Sequence, residues 1–268
     1  MSKLKELNTN LNTNVLCGLA SKYRTDKGGH GYTKIYHEIM KENKSNKINI
    51  FEIGIFRGSS LRMWEEYFDN KESKICAIDN GRLTLTTSAI PGADNINISQ
   101  DDAFLLSQNA TIDSDYSWIE NKKIKCFTAD QRSYPQLLEA FLYFDVSMFD
   151  FIVDDGHHYQ EHQQKSLGLL FPHLKSGGYY IIEDIAVKER LLAAPGSYWG
   201  QKEKDCSDTT DHVFLEYLNS GNLISPYLTE EQKNYIINNI DDIFLFDDLN
   251  KNNSPVSCTS KFLVIKKK

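Results

Sequence analysis

The sequence predicts an α/β protein whose doubly wound sheet is mostly parallel and carries an antiparallel C-terminal hairpin strand. Short apolar runs alternate with stretches of helical spacing through most of the chain, the pattern of repeated β-α-β units. Two of those runs stop abruptly at carboxylates: Phe149-Asp150-Phe151-Ile152-Val153-Asp154-Asp155-Gly156-His157-His158 and Gly177-Gly178-Tyr179-Tyr180-Ile181-Ile182-Glu183-Asp184. Near the C-terminus the alternation gives way to two apolar runs on either side of a turn-rich link.

Taken in order, Ile48 to Ile53 reads as the first strand. Ser59 to Phe68 follows as a helix, with Leu61, Trp64, Tyr67 and Phe68 spaced for one face. Lys74 to Asp79, Ile124 to Thr128 and Met148 to Val153 read as strands two to four, and Tyr179 to Ile182 as the fifth. Ser133 to Phe144 and Gln160 to Leu174 have helical spacing, with Gly177-Gly178 as the stop after the second. Thr229 to Asn239 reads as a further helix. The runs Asp242 to Phe246 and Lys261 to Ile265, linked through Asn250 to Pro255, suit a hairpin, which makes the last strand antiparallel. We read one domain over residues 1–268, with an N-terminal helical and lid extension at 1–46 and substrate-side insertions at 81–121 and 186–211.

Composition narrows the function. With 268 residues, 40% of them hydrophobic, the chain can bury one substantial core. The net charge is −7 and the basic residues form no cluster beyond Lys266-Lys267-Lys268, which argues against a nucleic-acid partner. No run reaches the ~18 apolar residues of a membrane span. The polar stretch from Met1 to Asn14 lacks the apolar segment of a secretion signal. Five scattered cysteines without a C-x-x-C pair suit reduced thiols, so a cytoplasmic location is expected. A homo-oligomer is left open.

The chemistry concentrates at strand ends. Parallel neighbours lie roughly 4.8 Å apart, so carboxylates ending two adjacent strands converge at the edge where open α/β sheets bind ligands. Glu52-Ile53-Gly54-Ile55-Phe56-Arg57-Gly58 marks the turn from first strand to first helix, where glycines allow close backbone approach and the helix N-terminus offers N–H groups. Its spacing, E-x-G-x-x-x-G, differs from the G-x-G-x-x-G of dinucleotide sites and weakens an NAD-binding oxidoreductase reading. Asp79, ending the second strand, can accept from both hydroxyls of a ribose, and Asp130-Gln131 after the third can reach an adenine edge. The bland alternatives are that Asp154 and Asp155 cap the helix near Gln160 and that Glu183-Asp184 is a solvated loop. A non-catalytic cofactor-binding protein would leave the converging acids unexplained.

On these residues the chain resembles the class I S-adenosylmethionine-dependent methyltransferases, with their Rossmann-like sheet. Thr25-Asp26-Lys27-Gly28-Gly29-His30-Gly31-Tyr32 with Tyr36, the Asp154 to His158 segment and Glu183-Asp184 narrow the resemblance to the macrolide-sugar O-methyltransferases and the related cephalosporin-hydroxylase-like group. The resemblance implies S-adenosyl-L-methionine bound near Glu52, Gly54, Arg57, Gly58, Asp79, Asp130, Gln131 and Asp154. It also implies Mg²⁺ held by Asp155, Glu183 and Asp184, His158 as the catalytic base with His157 as the alternative, and a lid placing Lys27, His30 and Tyr32 against substrate. The expected activity is methylation of a sugar hydroxyl on a small molecule. The leading substrate is a nucleotide-activated sugar, such as a GDP-heptose or deoxysugar, for a bacterial capsule or surface polysaccharide; an antibiotic-linked sugar or small phenolic is the alternative.

Overall fold

The structure is a computed structural model that describes residues 14–80, 116–186, 208–246 and 260–268. Its sheet comprises β1 (Asn49–Ile53), β2 (Lys74–Asp79), β3 (Ile124–Thr128), β4 (Phe149–Asp154), β5 (Leu174–Ala186), β6 (Ile240–Phe246) and β7 (Ser260–Lys267). The order across the sheet is β3-β2-β1-β4-β5-β7-β6. Pairings from β3 to β5 are parallel, and β7 runs antiparallel to both neighbours. The chain therefore reverses direction outward from between β1 and β4, the switch point at which ligands bind in such sheets.

Helices cover both faces because the strands are apolar on both sides. α1 (Val15–Tyr23), α2 (Tyr32–Met40) and α3 (Ser59–Tyr67) pack on one face, where Tyr36, Trp64 and Phe68 meet Phe151, Val153 and Val264. On the other lie α4 (Tyr134–Phe144), α5 (Gln160–Leu170), α6 (Thr210–Ser220) and α7 (Glu230–Asn239), where Phe141, Leu167, Phe214 and Ile236 share a core with Phe51, Ile53 and Ile152. Phe51 against Ile50, and Ile152 against Phe151 and Val153, divide between the two cores as the two-residue period of a strand requires.

Some boundaries differ from expectation for local reasons. α5 stops at Leu170 because Pro172 lies in the 3-10 turn Phe171–His173 and cannot continue the helix. β5 does not end at Ile182; it bends at a register shift between Ile182 and Ile185 and continues to Ala186, so Glu183 and Asp184 lie within it. α6 was not read from the sequence. Its first turn is fixed by buried polar groups: Thr210 N donates to Gln160 Oε1 (2.5 Å) and its hydroxyl to Gln163 Oε1 (3.0 Å). The β6–β7 pair forms as expected, with its link outside the described residues. Most of the insertions expected at 81–121 and 186–211 also lies outside them. None of the described helices is long and apolar enough to cross a membrane.

Candidate active site at the carboxyl edge of the sheet

β1 ends at Ile53 and turns sharply through Gly54 (φ 96°) to the left-handed Phe56 (φ 45°) and Gly58 (φ 65°) before α3 begins. A Cβ on Gly54 would lie 2.2 Å from the backbone oxygen of Asp155, so the glycine lets the first turn touch the one that follows β4. At Gly58 a Cβ would meet Ile119 Cδ1 at 2.0 Å, and this glycine admits the Trp118–Ile119 segment over the turn. Asp79, partly exposed at the end of β2, accepts from Ile55 N–H at 3.0 Å and braces the same turn.

Beyond β4 and in the bend of β5, Asp155, His158 and Asp184 each offer a ligand atom, all within 4.8 Å of one another. His158 (φ 58°) and Asp184 (φ 49°) are left-handed non-glycine residues, as is Phe56. Such backbone costs on the order of 1–3 kcal/mol per residue and persists where the surroundings over-determine it. The other two such residues among those described, Arg24 and Asp145, are helix C-caps and need no further reason. Tyr32 donates to Asp184 Oδ1 at 2.6 Å and stacks with His30, at 5.2 Å between ring centroids. The two carboxylates of this group fit a hard divalent cation, which takes oxygen ligands and retains waters, and the imidazole lies beside them.

Beneath this trio lies a buried charged cluster. Lys27 Nζ, wholly enclosed, meets Asp155 Oδ2 at 2.5 Å, Glu183 Oε1 at 2.7 Å and Glu52 Oε1 at 3.2 Å. The hydroxyl of Tyr36 also donates to Glu183, and Trp64 Nε1 donates to Glu52 at 2.8 Å. Burial, then the neighbouring Asp155, pushes the Glu183 carboxyl well above the usual range; burial also raises Glu52.

Several expected positions fall elsewhere. Of the expected metal ligands, Asp155 and Asp184 lie together with the expected base His158 beside them, while Glu183 accepts from Lys27 and Tyr36 in the interior cluster. Lys27 and Tyr32 are buried and serve the carboxylates, leaving His30 the more accessible of the three expected substrate contacts. Glu52 is likewise enclosed with Lys27 and Trp64, away from the exposed edge. Asp154 is fully buried among Ser166 and Gln131, and burial pushes its carboxyl up to about 6. Gln131 in turn accepts from His157 N–H at 3.3 Å, tying the loops after β3 and β4 together. Asp130 is held by Arg132 through two side-chain hydrogen bonds of 3.0 and 2.7 Å, which keep its carboxyl down at about 2. Arg57 lies over the Phe56 ring, 5.3 Å from its centroid. His157 stands edge-on to Tyr159 and beside His162, outside the Asp155–His158–Asp184 group; burial, then His158, lowers its pKa. The helix-cap reading of Asp154 and Asp155 is not what forms, since Tyr159 occupies the N-cap of α5. Sequence reasoning missed the Lys27–Glu52–Glu183 cluster, whose only signal was the presence of a lysine in the Thr25–Tyr32 segment.

Asp79→Ala is expected to weaken binding of an adenosine-bearing cofactor by about tenfold or more, since hydrogen bonds to a charged group contribute ~1.5–3 kcal/mol. Calorimetry with S-adenosylhomocysteine checks this, and unchanged affinity would remove Asp79 from the site.

No family model matches the chain. Among curated proteins it is similar to demethylmacrocin O-methyltransferase of Streptomyces fradiae, 30% identical over 176 residues, covering 62% of this chain and 35% of the relative. It is also similar to mycinamicin VI 2''-O-methyltransferase of Micromonospora griseorubida, 26% identical over 209 residues, covering 73% of this chain and 41% of that one. The chain thus spans less than half the length of either relative. Among solved structures it matches MycE methyltransferase of the mycinamycin biosynthetic pathway, solved with Mg, SAH and mycinamycin VI. The TM-score is 0.61 at 22% identity, covering 95% of this chain and 55% of MycE. The chain has the class I S-adenosylmethionine-dependent methyltransferase fold and is related in sequence to the antibiotic-sugar O-methyltransferases.

Proposed function

We propose that the protein is an S-adenosylmethionine-dependent O-methyltransferase acting on a hydroxyl of a sugar. The observation that carries this reading is the convergence of Asp155, His158 and Asp184 at the sheet edge, beside the Gly54–Gly58 turn and Asp79. S-adenosylmethionine, when bound, supplies a methyl group on a sulfonium, whose transfer leaves a neutral thioether. Mg²⁺, held by Asp155 and Asp184, would supply a Lewis-acid charge that makes a hydroxyl more acidic.

The chain's own groups do the rest. Asp79 and the turn after β1 would hold the cofactor's ribose and its methionine moiety. Asp155 and Asp184 fix the position of the acceptor oxygen, and Tyr32 holds the Asp184 carboxylate in place through its hydroxyl. His158, among those carboxylates, takes the hydroxyl proton as the new O–C bond forms; an imidazole accepts protons near neutral pH. His157, turned toward Tyr159 and His162, is not on this path.

For the acceptor, the relatives' names favour a sugar already joined to an aglycone over a nucleotide-activated sugar. They include L-olivosyl-oleandolide 3-O-methyltransferase and an 8-demethyl-8-alpha-L-rhamnosyl tetracenomycin-C 2'-O-methyltransferase. The capsule expectation receives no support from them. The direct test offers rhamnosides and other deoxysugar glycosides beside nucleotide-activated sugars, with labelled S-adenosylmethionine. Label is expected on a sugar oxygen of a glycoside; transfer only to a phenolic oxygen would sink the sugar reading.

A further inference from the structure

The β4–β5 ladder is last paired at Asp154 and Ile182, so Asp155 and Asp184, which share the candidate cation group, both lie beyond its final rung. On the other side of β5, Ile182 pairs with Leu263 and Ile185 with Lys261, which leaves Glu183 and Asp184 opposite the single Phe262. This is a β-bulge, a device that re-aims a side chain and breaks the hydrogen bonding of the ladder. Buried carbonyls in such a break need a partner. Gln163 of α5 supplies one: fully buried, its Nε2 donates to the Glu183 carbonyl at 3.1 Å, and its Oε1 accepts from the Thr210 hydroxyl at 3.0 Å. A carbonyl oxygen can only accept, so the amide is fixed with its NH₂ toward the bulge.

We infer that Gln163 is a positioning residue of the cation site: its amide clamps the Glu183–Asp184 peptide in the β5 bulge and so holds the Asp184 carboxylate against Asp155 and His158. The inference rests on the cation reading given above. The clamped carbonyl belongs to the peptide unit that leads into Asp184, whose left-handed backbone (φ 49°) needs such support to persist. The same helix begins directly after the other two members of the group, since its N-cap is Tyr159 and Gln163 N–H donates back to Tyr159 O at 2.9 Å. Gln163 therefore ties the loop that carries Asp155 and His158 to the bend that carries Asp184, where the ladder no longer does. Tyr32 holds the Asp184 carboxylate itself, while Gln163 holds the backbone beneath it.

The test measures Mn²⁺ affinity from the electron paramagnetic resonance signal of the free ion, for wild type, Gln163→Met and Thr210→Val, with S-adenosylhomocysteine affinity and melting temperature followed in parallel. Gln163→Met keeps the bulk of the side chain but offers the bulge no donor. Its Mn²⁺ dissociation constant is expected to rise roughly tenfold or more, the usual cost of losing a group that orients a metal ligand, with S-adenosylhomocysteine affinity unchanged. Thr210→Val removes the other hydrogen bond of the amide and leaves its donor in place, so it should lower the melting temperature and leave Mn²⁺ affinity as in wild type. Gln163→Asn, whose shorter amide cannot span both partners, carries the same comparison if the methionine variant does not fold. Wild-type Mn²⁺ affinity in the Gln163 variants would overturn the inference, as would an equal loss in Thr210→Val, which would make the glutamine part of the packing between α5 and α6 alone. A wild type that binds no Mn²⁺ would count against the cation reading itself, and the inference would fall with it.

Discussion

His158→Ala is expected to lower kcat by roughly 10²–10⁴-fold, the usual contribution of a positioned general base, while affinity for S-adenosylhomocysteine changes little. The imidazole lies with the carboxylates of Asp155 and Asp184, all three offering atoms within 4.8 Å of one another. It is presented by a left-handed backbone that most residues avoid. Removing it leaves the Gly54–Gly58 turn and Asp79, the proposed cofactor side of the edge, untouched. His157→Ala should cost much less, because that ring packs on Tyr159 and His162 outside the trio. Steady-state kinetics on a glycoside acceptor decides the matter, and a larger loss for His157→Ala would transfer the role to His157.

Gly54→Ala is expected to destabilise the fold by about 2–5 kcal/mol, combining the strain of a left-handed alanine with overpacking against fixed atoms. The added Cβ would sit 2.2 Å from the carbonyl oxygen of Asp155, and a backbone atom cannot rotate away as a side-chain tip can. Relief requires the turn after β1 and the turn after β4 to separate. Asp155 would then leave the trio, so activity should fall together with the midpoint of urea unfolding. A variant with wild-type stability and activity would show that the close approach of the two turns is dispensable.

Most of the sheet was legible because its strands are buried on both faces and end at glycines or acids. Lys74 to Asp79 coincides with β2 for that reason, and Ile124 to Thr128 coincides with β3, an edge strand in which Ile124 and Cys126 are buried and Lys125 between them is not. The end of β5 was misplaced because an acidic pair reads as a loop, whereas here the strand bends and continues, with Glu183 buried by a lysine from far upstream. That lysine also explains why the candidate site was only partly legible. Asp155, His158 and Asp184 are marked by their place after apolar runs, but nothing in the local pattern around Glu183 says which way its side chain turns. The choice depends on Lys27 and Tyr36, long-range partners in a segment read as a lid. α6 does carry local signals, with Val213, Phe214 and Tyr217 at helical spacing and Gly221 as its C-cap, while its first turn is fixed by the tertiary contacts to glutamines of α5.

The central claim is that the Asp155–His158–Asp184 edge performs cation-assisted methyl transfer to a sugar hydroxyl. Its most direct test is transfer of labelled methyl from S-adenosylmethionine to a deoxysugar glycoside, measured against Mg²⁺ concentration for wild type and Asp184→Asn, with S-adenosylhomocysteine affinity followed in parallel. The account predicts that chelation silences wild type and that Asp184→Asn is inactive or needs far more cation, while both bind S-adenosylhomocysteine normally. Full transfer by metal-stripped wild type, or an Asp184→Asn variant as active as wild type at low Mg²⁺, would contradict it.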